Sequence, residues 1–210
     1  NPPVAEGALR SVRLDLRLGP PRAPLDLVPR SAIELSVERS SPGFAGSEFD
    51  FSIYLARLEW SVNTFARDML FPPSLRVSAS AGLGLGAVPP QRRFRLDSRA
   101  SGYAPFGVLR GSDVDEFGGD RFVMISAEHN FRSIPFLALD IPFLYRNGFE
   151  ILLGGSIART WVHSIPAPGG WYAEASAGIN RILDLLRADV TYRLKEPPGW
   201  FFTVSIGTLF

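Results

Sequence analysis

The chain has no cysteine and only two histidines. Without cysteine there is no disulfide framework, no thiol chemistry and no cysteine zinc site. The histidines, His129 and His163, lie far apart and share no metal-ligand spacing. Net charge is nearly absent as well: 22 Lys and Arg against 21 Asp and Glu leave +1 over 210 residues. That removes the basic footprint that nucleic-acid binding requires. No apolar run reaches the length of a transmembrane helix, so none is expected. No amphipathic helix of ordinary length is visible either. Membrane-crossing strands stay open as a possibility, because alternation hides their hydrophobicity. The first residue is Asn and no cleavable signal segment follows it, so the chain is expected to be processed, excised or part of something longer.

What is present is alternation. The stretch VSASAGLGLG (Val77 to Gly86) holds three glycines in five residues. Its G-x-G-x-G spacing is not the G-x-G-x-x-G of a dinucleotide loop, and it runs into Val88-Pro89-Pro90 rather than a helix. At period two it sorts into Leu75, Val77, Ala79, Ala81, Leu83 and Leu85 on one side. Arg76, Ser78, Ser80, Gly82, Gly84 and Gly86 fall on the other. It reads as a strand.

The same period recurs along the chain. Val12, Leu14, Leu16 and Leu18 alternate with Arg13, Asp15 and Arg17; Ile33, Leu35 and Val37 with Glu34, Ser36 and Glu38. Phe49, Phe51, Ile53 and Leu55 form an apolar row against Asp50, Ser52 and Tyr54. Further segments begin near Val123, Phe149, Ala173, Leu186 and Phe202, and Pro and Gly clusters punctuate them. Roughly nine strands of about ten residues result, the length that crosses a bilayer at a tilt. A soluble β-sandwich or ligand-binding barrel also alternates. It would need a clean apolar interior, whereas the polar faces here carry both charge signs and the apolar faces almost none. Trp161, Trp171, Tyr172, Trp200, Phe201 and Phe210 gather towards segment ends, where interfacial aromatic girdles sit. The expected fold is therefore all-β: one domain over 1–210, an antiparallel transmembrane β-barrel with a long loop at about 97–119.

Two stretches carry a family resemblance. The end, FTVSIGTLF, resembles the C-terminal signal of bacterial outer-membrane barrels through Phe202, Val204, Ile206, Gly207 and Phe210. The string GVLRGSDVDEFGGDRFVMISAEHNFRSIPF (Gly107 to Phe136) resembles the surface-antigen barrel of the BamA/Omp85 superfamily. In that family a V/I-R-G-F/Y loop tucks back into the lumen and meets an inward glutamate. By resemblance Arg110 and Gly111 are the loop motif and Glu128 the carboxylate partner. The motif departs from the family in reading V-L-R-G-S, and the position of the family's second carboxylate falls near Gly154 or Gly155. The family barrel has sixteen strands, of which this chain resembles about the last nine.

The resemblance implies a bacterial outer-membrane location and insertion or translocation of polypeptides through an openable strand seam. The seam strand would be Thr203–Leu209, the partners outer-membrane lipid, client polypeptides and other outer-membrane complex subunits. The alternative is a small passive barrel or an accessory subunit without insertase activity. No enzymatic step, metal or cofactor is expected. Glu128 and His129 are adjacent on a strand and point to opposite faces, so acid–base cooperation is not expected. No serine sits in a nucleophile-elbow context. Asp113, Asp115, Glu116 and Asp120 are dense in the oxygen ligands that suit Ca²⁺ but lack the EF-hand spacing, and a solvated loop is the favoured reading. Phe143, Leu144 and Tyr145 beside Arg146 suit either a plain turn or a short interfacial helix.

Overall fold

The computed structural model describes residues 5–20, 31–43, 46–96, 108–113, 116–162, 165–166, 170–195 and 197–206. Among them run β1 (Val12–Leu18), β2 (Ala32–Ser40), β3 (Phe51–Asn63), β4 (Ser74–Gly86), β5 (Phe94–Leu96) and β6 (Phe117–Gly119). They continue with β7 (Arg121–Arg132), β8 (Glu150–Val162), β9 (Ile165–Pro166), β10 (Tyr172–Ile182), β11 (Leu186–Arg193) and β12 (Gly199–Ile206). Nine of these form one antiparallel meander in the order β1-β2-β3-β4-β7-β8-β10-β11-β12. The nine main strands expected from alternation are therefore there. β9 folds back on β8, and β5 pairs with β6 in a separate ribbon. β1 and β12 are the two edges, and among the described residues no pairing joins them. Between β7 and β8 the chain makes two single-turn helices, α1 (Ile134–Ala138) and α2 (Pro142–Arg146). Each carries a proline in its first turn, Pro135 and Pro142, where a helix tolerates it.

Antiparallel order puts the β2–β3, β4–β7, β8–β10 and β11–β12 connections at one end of the sheet, here called upper, and the remaining turns at the lower end. Because side chains alternate, the register also divides the sheet into two unlike faces. The bare face carries Leu14 (71% exposed), Leu35, Leu58, Ile125 (57%), Ile157, Val190 and Val204. The loop-bearing face carries Glu38, Glu128, Glu150, Glu174 (3%), Arg187 and Asp189 (1%). Large apolar side chains stand exposed on one face while several charges are buried on the other, the reverse of the usual partition.

One expectation is corrected by this arrangement. The apolar row Phe51 and Ile53 does not join the exposed aliphatic face; both side chains are buried on the loop-bearing side. The bare row of β3 is instead Tyr54, Ala56, Leu58, Trp60 and Val62, with Tyr54, Leu58 and Trp60 exposed. The reason is the long loop. It lays Leu109, Phe117 and the β5 residues Phe94 and Leu96 over the upper half of the sheet, where they cluster with Phe51, Ile53, Phe122, Met124 and Tyr172. Each such large side chain contributes about 1.5–3 kcal/mol on burial, enough to draw β3's upper apolar row inward.

The glycines of β4 make that core possible. A Cβ on Gly82 would stand 2.5 Å from ring carbons of both Phe94 and Phe122. One on Gly84 would stand 2.9 Å from Val88 and 3.0 Å from the Asp120 carbonyl. Glycine sits in this strand because aromatic rings and loop backbone rest directly on it.

Candidate functional site

Three of the residues singled out by resemblance come together. The loop turns at Arg110 and Gly111, directly after the fully buried Leu109, and dips onto the loop-bearing face. There Arg110 Nη2 donates to Glu128 Oε2 of β7 at 2.5 Å, and Nη1 donates to Ser176 Oγ of β10 at 3.2 Å. Gly154 stands opposite Glu128 in the register; a Cβ there would come within 3.5 Å of Arg110 Nη1 and 3.2 Å of Ser176 Oγ. The absence of a side chain at Gly154 thus leaves room for the arginine and the Ser176 hydroxyl.

The pair does not stand alone, although no second carboxylate joins it at Gly154 or Gly155. Arg187 of β11 reaches Glu128 across β10 and β8, with Nη1 donating to Oε1 at 3.0 Å and Nη2 to Oε2 at 2.6 Å. Arg187 Nε and Nη2 also donate to the buried Asp189, at 2.7–3.0 Å. Two guanidiniums and two carboxylates are therefore linked in one chain. Gly178 opposes Asp189, and a Cβ there would collide with the Asp189 carboxylate.

A second carboxylate holds the loop by its backbone. The N–H groups of Arg110 and Gly111 donate to Glu174 Oε1 and Oε2 at 3.1 and 2.7 Å. Tyr172 Oη–H donates to Glu174 Oε2 at 2.6 Å. These charge-assisted bonds are the strong kind, and they use the donors of a turn that could not otherwise be satisfied in a buried setting. Gly111 is required for a spatial reason: a Cβ would lie 2.9 Å from Tyr172 Oη and 3.2 Å from the Phe201 ring. Higher up, Arg193 pairs with Glu116 of the loop at 2.7 Å, its guanidinium 5.2 and 5.7 Å from the centres of the Tyr172 and Phe117 rings.

Tyr172→Phe tests one of these bonds alone. Removing the hydroxyl donor to a buried carboxylate is expected to lower the unfolding free energy by about 1.5–3 kcal/mol. Urea unfolding in detergent micelles reads the effect, and an unchanged midpoint would show the bond to be dispensable.

Other sequence candidates fall elsewhere. Phe202 and Val204 are exposed on the bare face, and the backbone of Ile206 pairs with Leu186. Gly207, Leu209 and Phe210 lie outside the described residues, as do His163, Asp115 and positions 97–107. Trp161, Trp171 and Trp200 stand towards the upper strand ends, Trp171 and Trp200 well exposed. Tyr172 instead faces the loop, and the Phe201 ring lies beside Gly111. Of the acidic run, Glu116 binds Arg193 and accepts from the Asp113 N–H at 2.9 Å. Among the described residues no group of three His, Asp or Glu could hold a metal ion. His129 turns to the bare face, Nε2 sits 2.9 Å from Thr64 Oγ1, and its ring stacks on Phe65.

Glu174, Tyr172, Arg187 and Asp189 were not recognised from the sequence. A signal existed in RADV, where two opposite charges share one face of a strand whose other face is apolar. The arrangement contains no activated nucleophile and no paired acid and base. Its chemistry is electrostatic: it clamps a loop to a sheet. No protein-family model matches this chain, and no curated protein matches it either.

Proposed function

We propose that this chain forms the wall of an outer-membrane β-barrel whose bare face meets lipid and whose clamped loop lies in the lumen. The observation that carries the reading is the distribution of charge. On the bare face of the main sheet the charged residues are Arg39, Arg121 and Arg159 towards the upper end and Arg181 at the lower. Between them run only apolar, small or aromatic side chains over all nine strands. Along β3, Tyr54 and Trp60 bracket an apolar band roughly 20 Å long at about 3.4 Å per residue. The aromatic ends of this row suit a lipid-facing band flanked by two aromatic girdles.

Within that barrel the proposed activity is insertion or translocation of polypeptide at a seam beside β12. Edge N–H and C=O groups cannot stay unpaired in hydrocarbon. The outer side of β12 therefore needs a strand, supplied by the barrel itself or by a client during insertion. The loop clamp, which ties β7 and β10 to β11 next to that edge, steadies the wall while the seam exchanges partners.

Ile125→Arg tests the membrane reading. The side chain is 57% exposed, so in water the change would cost within about 0.5 kcal/mol. In a bilayer it is expected to cost about 2–4 kcal/mol. Unfolding in vesicles against unfolding in short-chain detergent separates the two, and equal stability of variant and parent in both would sink the proposal. The seam reading has its own test. Vesicles carrying the protein should fold an added, unfolded outer-membrane barrel faster than empty vesicles, scored by the heat-sensitive gel shift. A protein that is sensitive at Ile125 yet gives no acceleration is a passive or accessory barrel.

A further inference from the structure

The bare face has one feature that a plain lipid-facing wall does not need. Near its upper end two rows run across five strands. Leu35, Ala56, Ala81, Val123 and Arg159 are successive register partners, and above them lie Val37, Tyr54, Leu83, Arg121 and Trp161. The adjacent Ala56 and Ala81 carry the smallest side chains of the ten. They floor an open groove of about 580 Å³, walled by Leu35 and Tyr54 on one side and by Arg121 and Trp161 on the other. Its lining is almost wholly apolar, and it is continuous with the aliphatic bare face.

Arg121 lines the groove, and Arg159 stands one strand beyond its lining residue Val123. Arg121 is the direct register partner of Trp161, and Arg159 that of Val123. Diagonal neighbours such as Arg121 and Arg159 lie about 7–8 Å apart across an antiparallel pair. Arg159 is held between two indoles, its guanidinium 5.3 Å from the Trp161 ring centre and 5.5 Å from that of Trp171. Among the described residues neither arginine has a carboxylate partner, and the Nε of each is buried without a hydrogen bond. Every other bare-face arginine has an acid: Arg39 has Asp50 at 2.7 Å, and Arg181 has Asp184 at 2.9 Å.

We infer that Arg121, Arg159 and the Ala56–Ala81 groove form a binding site for one anionic, phosphate-bearing lipid, acyl chain in the groove and phosphate between the two guanidiniums. The inference rests on the membrane reading above and adds a ligand to it. Guanidinium binds phosphate in forked, charge-assisted hydrogen bonds. An arginine on the lipid face costs about 2–4 kcal/mol at the midplane but only about 0–1 kcal/mol near the interface. The pair is therefore tolerable at headgroup level, where long side chains can lift their charge. The Trp161 and Trp171 indoles mark that level and restrain Arg159. Apolar groove and paired guanidiniums match the two ends of one lipid molecule.

The experiment is lipid retention by the whole chain, released from micelles and weighed by native mass spectrometry. Phosphatidic acid, phosphatidylcholine of the same chain length, and inorganic phosphate are offered separately. One phosphatidic acid per chain is expected to remain bound. The Arg121→Gln, Arg159→Gln double variant is expected to lose retention by roughly ten- to thirtyfold. Ala81→Leu, which fills the groove and leaves both arginines, should weaken lipid but not inorganic phosphate. Equal retention of phosphatidylcholine, or no effect of the double variant, would overturn the inference. Binding of inorganic phosphate as tight as that of the lipid would overturn it too, leaving a plain anion site. Flotation with phosphatidylcholine vesicles separates the two levels. A chain that floats but shows no lipid preference refutes only this site, while one that does not float refutes the membrane reading with it.

Discussion

Glu128→Ala is expected to destabilise the protein by about 3 kcal/mol or more and to release the loop. Breaking a buried ion pair by removing one partner typically costs about 3–5 kcal/mol, because the other charge stays buried without compensation. Here one carboxylate serves two guanidiniums, those of Arg110 and Arg187. Arg187 keeps Asp189, whereas Arg110 is left with the Ser176 hydroxyl. Glu128 retains some exposure, so the lower end of the range applies. The peptide bond after Arg110 is a natural trypsin site, shielded in the folded chain by its buried neighbours Leu109 and Gly111. Cleavage at that bond should accelerate in the variant well before global unfolding. Cleavage at the parent's rate would mean that the carboxylate does not hold the loop. The charge swap Arg110→Glu with Glu128→Arg should fail to rescue, since the new arginine would face Arg187. A plain two-residue pair would be rescued by it.

Gly82→Val is expected to be at least as damaging. The added carbons would enter space held by the Phe94 and Phe122 rings, whose centres are 4.9 Å apart and which are both buried. Neither ring has a free direction, because Leu96, Phe117 and Met124 close the same cluster. Overpacking of this kind costs about 1–3 kcal/mol and occasionally more. The upper value is expected because two rings must move together. Gly43→Ala is the matched control, since a Cβ there meets nothing within 4 Å. Chemical unfolding in micelles should separate the two clearly. Phe94→Leu in the Gly82→Val background should recover part of the loss by vacating one ring position; no recovery would place the damage in the strand itself.

The two variants probe layers of unequal legibility. The β4 strand was readable because its period-two pattern is local, and so were the other main strands. That the glycines receive Phe94 and Phe122 was not readable, since those rings arrive from a distant loop strand and from β7. Arg110 and Glu128 were found through a resemblance in a loop motif. Glu174 was not, although it binds the same turn, because it lies 63–64 residues away and contacts backbone rather than a partner charge. Arg187 escaped for a related reason: it meets Glu128 across two intervening strands, and strand periodicity says nothing about pairs that are not neighbours.

The sequence by itself determined the all-β class, the number and approximate places of the main strands, and the separation of apolar from charged faces. These follow from side chains alternating along a single extended segment, a property each strand carries alone. The tertiary structure decided which way each face turns, why β3's upper apolar row faces the loop, and which four charges share one network. It also decided where two unpaired arginines meet an apolar groove. These depend on register across five or more strands and on where a long loop lands. Such relations are set by packing between segments far apart in the chain, and no local pattern encodes them.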